Sequence, residues 1–263
     1  MINLEKVSGL PIELTTDFHL KFSPPLKEFE PGVRTLQEMR AVLMDPIASS
    51  EREELYYMYR DVHMPDHESL IRSSGARYDV TVIPPAMIGD EFNKTAGHYH
   101  PMKEGTHFAY PEVYEVLNGK GLVLLQKMDP EFKNVIAVIA LEVKAGDKII
   151  YPPNYGHILV NTGTEALVTA NWVAEDFKSM YTQVSDYQGM AYYVIADKNG
   201  YKFIPNPKYS NVPPLRMITT KFMNRFEIMQ HGPMYLLGVS NPKSLEFLTS
   251  PEKYSVELSS ITS

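Results

Sequence analysis

Along much of this chain, apolar and polar residues alternate with the two-residue period of strands that bury one face. Ile12 and Leu14 alternate with polar neighbours, and so do Phe18, Leu20 and Phe22. That predicts one or two short strands in a proline-punctuated arm over residues 1–35. Residues 33–39 read as a short helix or turn leading to a strand at 41–44, and 46–54 read as a polar loop. The aromatic-rich stretch 55–62 is strand-like. In 78–83 the alternation is clean, placing Thr81 on one face with Asp79 and Ile83 until Pro84-Pro85 ends the strand.

Further strands are predicted at 112–117, 121–125, 135–143, 148–151, 158–160 and 166–173. Asn118-Gly119 is a strong short-hairpin signal, so 112–117 is expected to fold back onto 121–125. A last hairpin is expected between 191–195 and 201–204, around Asp197-Lys198-Asn199-Gly200. Many short strands separated by Gly- and Asn-containing turns imply an all-β chain, either a closed antiparallel barrel or a jelly roll. After Pro205-Asn206-Pro207 the character changes, and 211–214 is linker-like. The remainder holds one predicted helix, opening at Ser240-Asn241-Pro242 with a capping residue and an early proline. The expected organisation is an N-terminal arm over 1–54, a barrel over 55–210, and a partly helical C-terminal extension over 211–263. That extension is too short for a separate core and is expected to pack on the barrel or on a neighbouring subunit.

Composition narrows the class. A chain of 263 residues is ample for one domain, and the apolar and charged fractions are ordinary for a globular protein. No run of about 18 apolar residues exists, and the first residues carry early charges without an apolar core, so neither a membrane span nor a signal peptide is expected. The sequence has 0 cysteines, which removes disulfides and thiolate ligands and fits a cytoplasmic protein. A net charge of −7 and the lack of long basic blocks argue against nucleic-acid binding.

The candidate chemistry lies in GHYHPMKEGTHFAYPEVYEVLNGKG, from Gly97 to Gly121. His98 and His100 lie two apart, so an extended strand puts both imidazoles on one face. Glu112 leads the next strand, and His157 stands downstream just before an apolar run. Three imidazoles and one carboxylate suit Fe(II), Mn(II), Zn(II) or Ni(II). Glu104 and His107 lie between the motif members and are alternatives to Glu112. His19, His63, His67 and His231 belong to no ligand pattern.

The order G-x(n)-H-x-H-x(n)-E-x(n)-G, followed by Pro153, His157 and Asn161, resembles the two-part signature of the cupin superfamily. TAGHYH, PEVYEVLNGKGLVLLQ and YPPNYGHILVNTG resemble one branch, the small metal-dependent phosphoglucose isomerases of archaea and some bacteria. The resemblance spans roughly residues 33–209 and implies a cupin jelly roll. It also implies a divalent metal on His98, His100, Glu112 and His157, and interconversion of glucose 6-phosphate and fructose 6-phosphate. The metal, Fe(II) first among the four, would stabilise negative charge on the sugar's O1 and O2. Glu112 is the implied catalytic carboxylate if a proton is shuttled; a hydride shift would need no such base. Thr81, Thr95, Gly97, Tyr114 and Tyr181 match positions that line the family's substrate pocket, with Tyr56 a further match. A cytoplasmic homodimer is the expected form. Two departures stand out: Ser179 replaces a family histidine, with Lys178 as a possible substitute, and Trp172-Val173 replaces an aromatic hydroxyl. An Fe(II) dioxygenase and a non-catalytic sugar-phosphate-binding cupin share the same ligand set.

Overall fold

The computed structural model describes residues 1–219 and 226–262. Strands β1 (Ile2–Asn3), β2 (Ile12–Leu14) and β3 (Leu20–Phe22) form a small antiparallel sheet at the N-terminus. Its inward residues Ile12, Leu14, Leu20 and Phe22 are buried, as the alternation predicts. β4 (Gly32–Thr35), β5 (Glu54–Tyr59) and β6 (Ala76–Ile83) follow and pair antiparallel in sequence order. The short β7 (Met87–Ile88) and β8 (Glu91–Phe92) precede the histidine-bearing segment.

Residues 41–44 are not the expected strand. Thr35 opens a helix over Leu36–Met39 through a reciprocal capping box with Glu38, and a 3-10 turn over Arg40–Val42 continues it. Side chains then satisfy the backbone that a strand partner would have used. Gln188 Nε2 donates to the carbonyls of Leu43 (3.0 Å) and Met44 (3.1 Å), and Met44 N donates to Glu91 Oε2 (2.6 Å).

The barrel proper consists of β9 (Glu112–Asn118), β10 (Lys120–Met128), β11 (Val135–Lys144), β12 (Lys148–Tyr151), β13 (Tyr155–Val160) and β14 (Leu167–Ala174). One six-stranded sheet runs β12-β9-β14-β6-β5-β4 and the other begins β13-β10-β11. Only β10 and β11 form a hairpin within one sheet; every other consecutive pair from β9 to β14 crosses from one sheet to the other. This is the jelly roll expected from the strand pattern. It corrects one turn, because Asn118-Gly119 does not fold β9 back onto β10. β9 pairs with β12 and β14, whereas β10 pairs with β11 and β13. Gly119 has a φ of 78°, and a Cβ there would lie 2.5 Å from the Ala166 carbonyl oxygen. The glycine therefore lets the chain turn a corner between sheets in contact with the start of β14.

β15 (Tyr192–Asp197) and β16 (Gly200–Pro205) form the predicted last hairpin, and β17 (Arg216–Ile218) adds in parallel to β11. The helix expected from Ser240 onward is broken. A helix over Met234–Ser240 ends at Asn241 (φ −138°, ψ 80°), after which a 3-10 turn over Pro242–Leu245 leads into a single α-turn over Glu246–Thr249. Pro242 disfavours helical geometry at the residue before it, so it restarts the segment rather than continuing it. The extension packs on the barrel through buried polar contacts. Trp172 Nε1 donates to Met234 O (3.1 Å), and Met234 N donates to Glu115 Oε2 (2.8 Å). The Lys148 ammonium donates to the carbonyls of Ile228, Gln230 and Gly232. A helix over Glu68–Ser74, which the strand periodicity did not announce, flanks β6. Among the described residues no helix is long and apolar enough to cross a membrane.

Candidate metal centre

His98 and His100 lie on an extended segment held to the barrel by single bridges rather than on a full strand. His98 pairs with His157 of β13, and Tyr99 pairs with Met180. Gly97 makes this close approach possible: its φ is 78°, and a Cβ would fall 2.5 Å from Ile158 Cγ2. The two-residue spacing has its expected effect, bringing the Nε2 atoms of His98 and His100 to 3.2 Å. Glu112, first residue of β9, approaches from the opposite sheet. Its Oε2 is 3.5 Å from His100 Nε2 and 3.3 Å from His157 Nε2. One ligand atom from each of these four residues lies within 4.8 Å of all the others.

The surrounding contacts orient these groups. His100 Nδ1 lies 2.8 Å from the Tyr110 carbonyl, so Nδ1 carries the proton and Nε2 turns a lone pair to the cluster. Asn171 Nδ2 donates to Glu112 Oε1 at 2.6 Å, leaving Oε2 to face the histidines. Glu112 Oε2 and His157 Nε2 are buried and have no hydrogen-bond partner.

Burial sets the protonation states. It pushes His98 well below its ordinary range, helped by His157 and His100. It pushes His100 down to about 4, against the pull of Glu112, and His157 down to about 3, against the Tyr155 carbonyl. The imidazoles are therefore neutral near pH 7, as metal ligands must be. Burial raises Glu112 to about 7; His100 opposes that rise and Asp79 adds to it. Four convergent donors, two of them buried and unpartnered, fit a divalent cation with nitrogen and oxygen preference. A cation would neutralise the carboxylate and satisfy the lone pairs at once.

Thr81, Thr95, Gly97, Tyr114 and Tyr181 all line the cavity in front of this cluster, and so does Tyr56. Tyr181 lies against His98, with ring centroids 5.1 Å apart, and Tyr114 stacks on Tyr151 at 4.5 Å. Thr95 Oγ1 accepts from Leu159 N at 3.0 Å, and Tyr56 Oη accepts from Ala96 N at 3.2 Å. Both hydroxyls thus keep a proton to donate to a guest.

Glu104 and His107 are exposed and stand outside the cluster. Ser179 lines the cavity, whereas Lys178 is exposed and does not. Trp172 points away from the cavity and stacks on Tyr235 of the C-terminal extension; its neighbour Val173 faces the cavity instead. Sequence reasoning missed Asn171, although an amide inside the apolar run 166–173 is the kind of exception that signals a role. It also missed the arginines on Asp79: Arg77 Nε lies 3.0 Å from Asp79 Oδ2, and Arg60 Nη1 lies 3.3 Å from it.

A family model described as glucose-6-phosphate isomerase (GPI) matches residues 33–209. The glucose-6-phosphate isomerase of Pyrococcus abyssi is 27% identical over 203 residues, covering 76% of this chain and 98% of that relative. That of Thermococcus gammatolerans is 28% identical over 178 residues, covering 68% of this chain and 87% of the relative. The matched segment contains the whole four-residue cluster and the cavity in front of it, from Tyr56 to Tyr181. The chain belongs to the glucose-6-phosphate isomerase family, in its cupin form.

Proposed function

We infer that this protein is a metal-dependent glucose-6-phosphate isomerase, interconverting glucose 6-phosphate and fructose 6-phosphate by hydrogen transfer between C1 and C2. The observation that carries the reading is the buried three-histidine, one-glutamate cluster inside a segment that matches the family throughout. A divalent cation on His98, His100, Glu112 and His157, Fe(II) being our first choice, would supply Lewis-acid stabilisation of negative charge on the sugar's O1 and O2.

The chain's own residues account for the remaining requirements. Glu112, the one carboxylate among the four convergent side chains, is the residue that would accept and return the proton if hydrogen moves between C1 and C2 as a proton. Asn171 holds its Oε1, so that Oε2 is the atom turned to His100 and His157. The hydroxyls of Thr95 and Tyr56, each with its acceptor side occupied by a backbone N–H, donate to phosphate oxygens. Thr81, Tyr114 and Tyr181 complete the walls, and Gly97 brings a backbone without a side chain to the same cavity. The resemblance also carries the expectation of a cytoplasmic homodimer, which sedimentation of the purified protein would test.

The deciding experiment is a coupled assay of fructose 6-phosphate conversion. It compares the protein as purified, stripped with chelator, and refilled with Fe(II), Mn(II), Zn(II) or Ni(II). Activity that disappears with the metal and returns on refilling supports the isomerase. A folded, metal-loaded protein that is silent with every cation defeats it, and oxygen uptake in that preparation would point to a dioxygenase instead.

A further inference from the structure

The cavity's positive charge is unevenly arranged. Arg60 and Arg77 both lean on the same buried carboxylate, Asp79, so each has a buried counterion within the protein, shared between the two. Arg34 stands elsewhere, on β4, the edge strand of the six-stranded sheet. In the register it lies directly opposite Tyr56, and directly opposed residues of an antiparallel pair share a face. Tyr56 lines the cavity, so Arg34 leaves β4 on the cavity side. The register slips immediately afterwards, between Arg34 and Thr35, a bulge of the kind that re-aims a side chain beside a site.

The guanidinium reaches two cavity residues. Its Cζ lies 5.7 Å from the centroid of the Tyr181 ring, and its charge bears on the Tyr56 phenol. Burial nevertheless pushes Tyr56 upward, against the pull of Arg34, so the phenol stays a protonated donor. Arg34 Nε is buried without a hydrogen-bond partner among the described residues. The nearest carboxylate, Glu38, is 3.5 Å from Nη1, half-exposed, and already engaged by Thr35 N and Oγ1. Such an exposed, shared carboxylate holds an arginine weakly. The result is a cation without a buried counterion, set against the cavity tyrosines Tyr56 and Tyr181.

We propose that Arg34 is the specificity residue for the substrate's phosphate: it supplies the positive charge at the Tyr56–Thr95–Tyr181 end of the cavity and holds both tyrosines in place for the dianion. This rests on the isomerase reading and names a residue that the sequence motifs do not include. The tests are Arg34→Met, which keeps bulk and removes charge, and Arg34→Lys, which restores charge without the planar fork. In the refilled enzyme, Arg34→Met should raise KM for fructose 6-phosphate about 10- to 100-fold, the worth of one charge-assisted hydrogen bond, with kcat within a few-fold of wild type. The inhibition constant of inorganic phosphate should rise in parallel, and Arg34→Lys should recover part of both. A folded Arg34→Met protein whose KM and phosphate inhibition are unchanged overturns the proposal, as does a fall in kcat alone. Should wild type itself show no turnover, the isomerase reading fails separately. Calorimetric titration of wild type and Arg34→Met with inorganic phosphate then still decides the role of Arg34: weaker binding by the variant supports it, and equal binding overturns it.

Discussion

Glu112 Oε2 and His157 Nε2 meet at 3.3 Å, although Glu112 begins a strand of one sheet and His157 lies in a strand of the other. Neither atom has a hydrogen-bond partner. Two buried electron-rich atoms facing each other across the jelly roll are stable only with a proton or a cation between them. His157→Ala removes the ligand carried by β13 and should abolish stoichiometric metal binding, read by elemental analysis after dialysis. Wild-type occupancy in the folded variant would show that the site does not depend on this pairing.

Asn171 is the partner that fixes Glu112. Its amide holds Oε1 at 2.6 Å from a position directly between β9 and β6. Asn171→Ala should weaken metal affinity about 10- to 100-fold, the usual effect of losing such an orienting partner, with little change in secondary structure. Competition with a metal-responsive dye would measure it. An unchanged affinity would mean that the strand alone sets the orientation of Glu112.

What could be read from the sequence follows from the range of the interactions involved. Alternation reports burial on one face of a strand, and it located β6 and β9, while aromatic content marked β5 and apolar runs marked β13 and β14, strands buried along nearly their whole length. The His98/His100 spacing similarly reports a shared face, and it survives even though that segment makes only isolated bridges. Strand pairing is not local, which is why Asn118-Gly119 reads as a hairpin but turns a corner between sheets. Arg34 acts through a register partner 22 residues distant, Tyr56, and Asn171 through Glu112 on the neighbouring strand β9. No spacing rule along the chain reveals such partners. The 3-10 turn after Pro242 shows the opposite limit, a local signal of helix initiation in a segment whose backbone restarts instead.

The C-terminal extension is fastened at Trp172, the sequence's single tryptophan. A Cβ at Gly238 would fall 2.8 Å from the indole Cε2 and Nε1, so the helix Met234–Ser240 lies directly against that ring. Gly238→Ala should cost about 1–3 kcal/mol by overpacking. Tm should fall by roughly 2–4 °C for each kcal/mol in a chain of this size. The indole should also report undocking through a red shift of its emission. A Gly238→Ala protein with unaltered melting and emission would show that helix and indole separate without cost.

Beside that contact, Glu115 accepts from Met234 N and lies 3.9 Å from the Lys148 ammonium. Burial raises its carboxyl to about 7, against the pulls of Met234 N and Lys148. Its folded value thus lies above the unfolded value near 4.5. At pH below 4.5 both states hold the proton, and the group contributes no pH dependence. Between 4.5 and about 7 the unfolded chain releases the proton while the folded protein keeps it, so stability declines as pH rises, by up to about 1.4 kcal/mol per pH unit. Above about 7 both states are ionised and the contribution levels off. Burial lowers the Lys148 ammonium while Glu115 pulls it up. Denaturant unfolding of the metal-loaded protein at about pH 5 and about pH 7.5 would test the slope against Glu115→Gln, which keeps an acceptor for Met234 N and cannot titrate. The variant should lose less stability than wild type over that interval. Parallel curves for the two proteins would show that Glu115 is ionised throughout, held by Lys148 despite its burial.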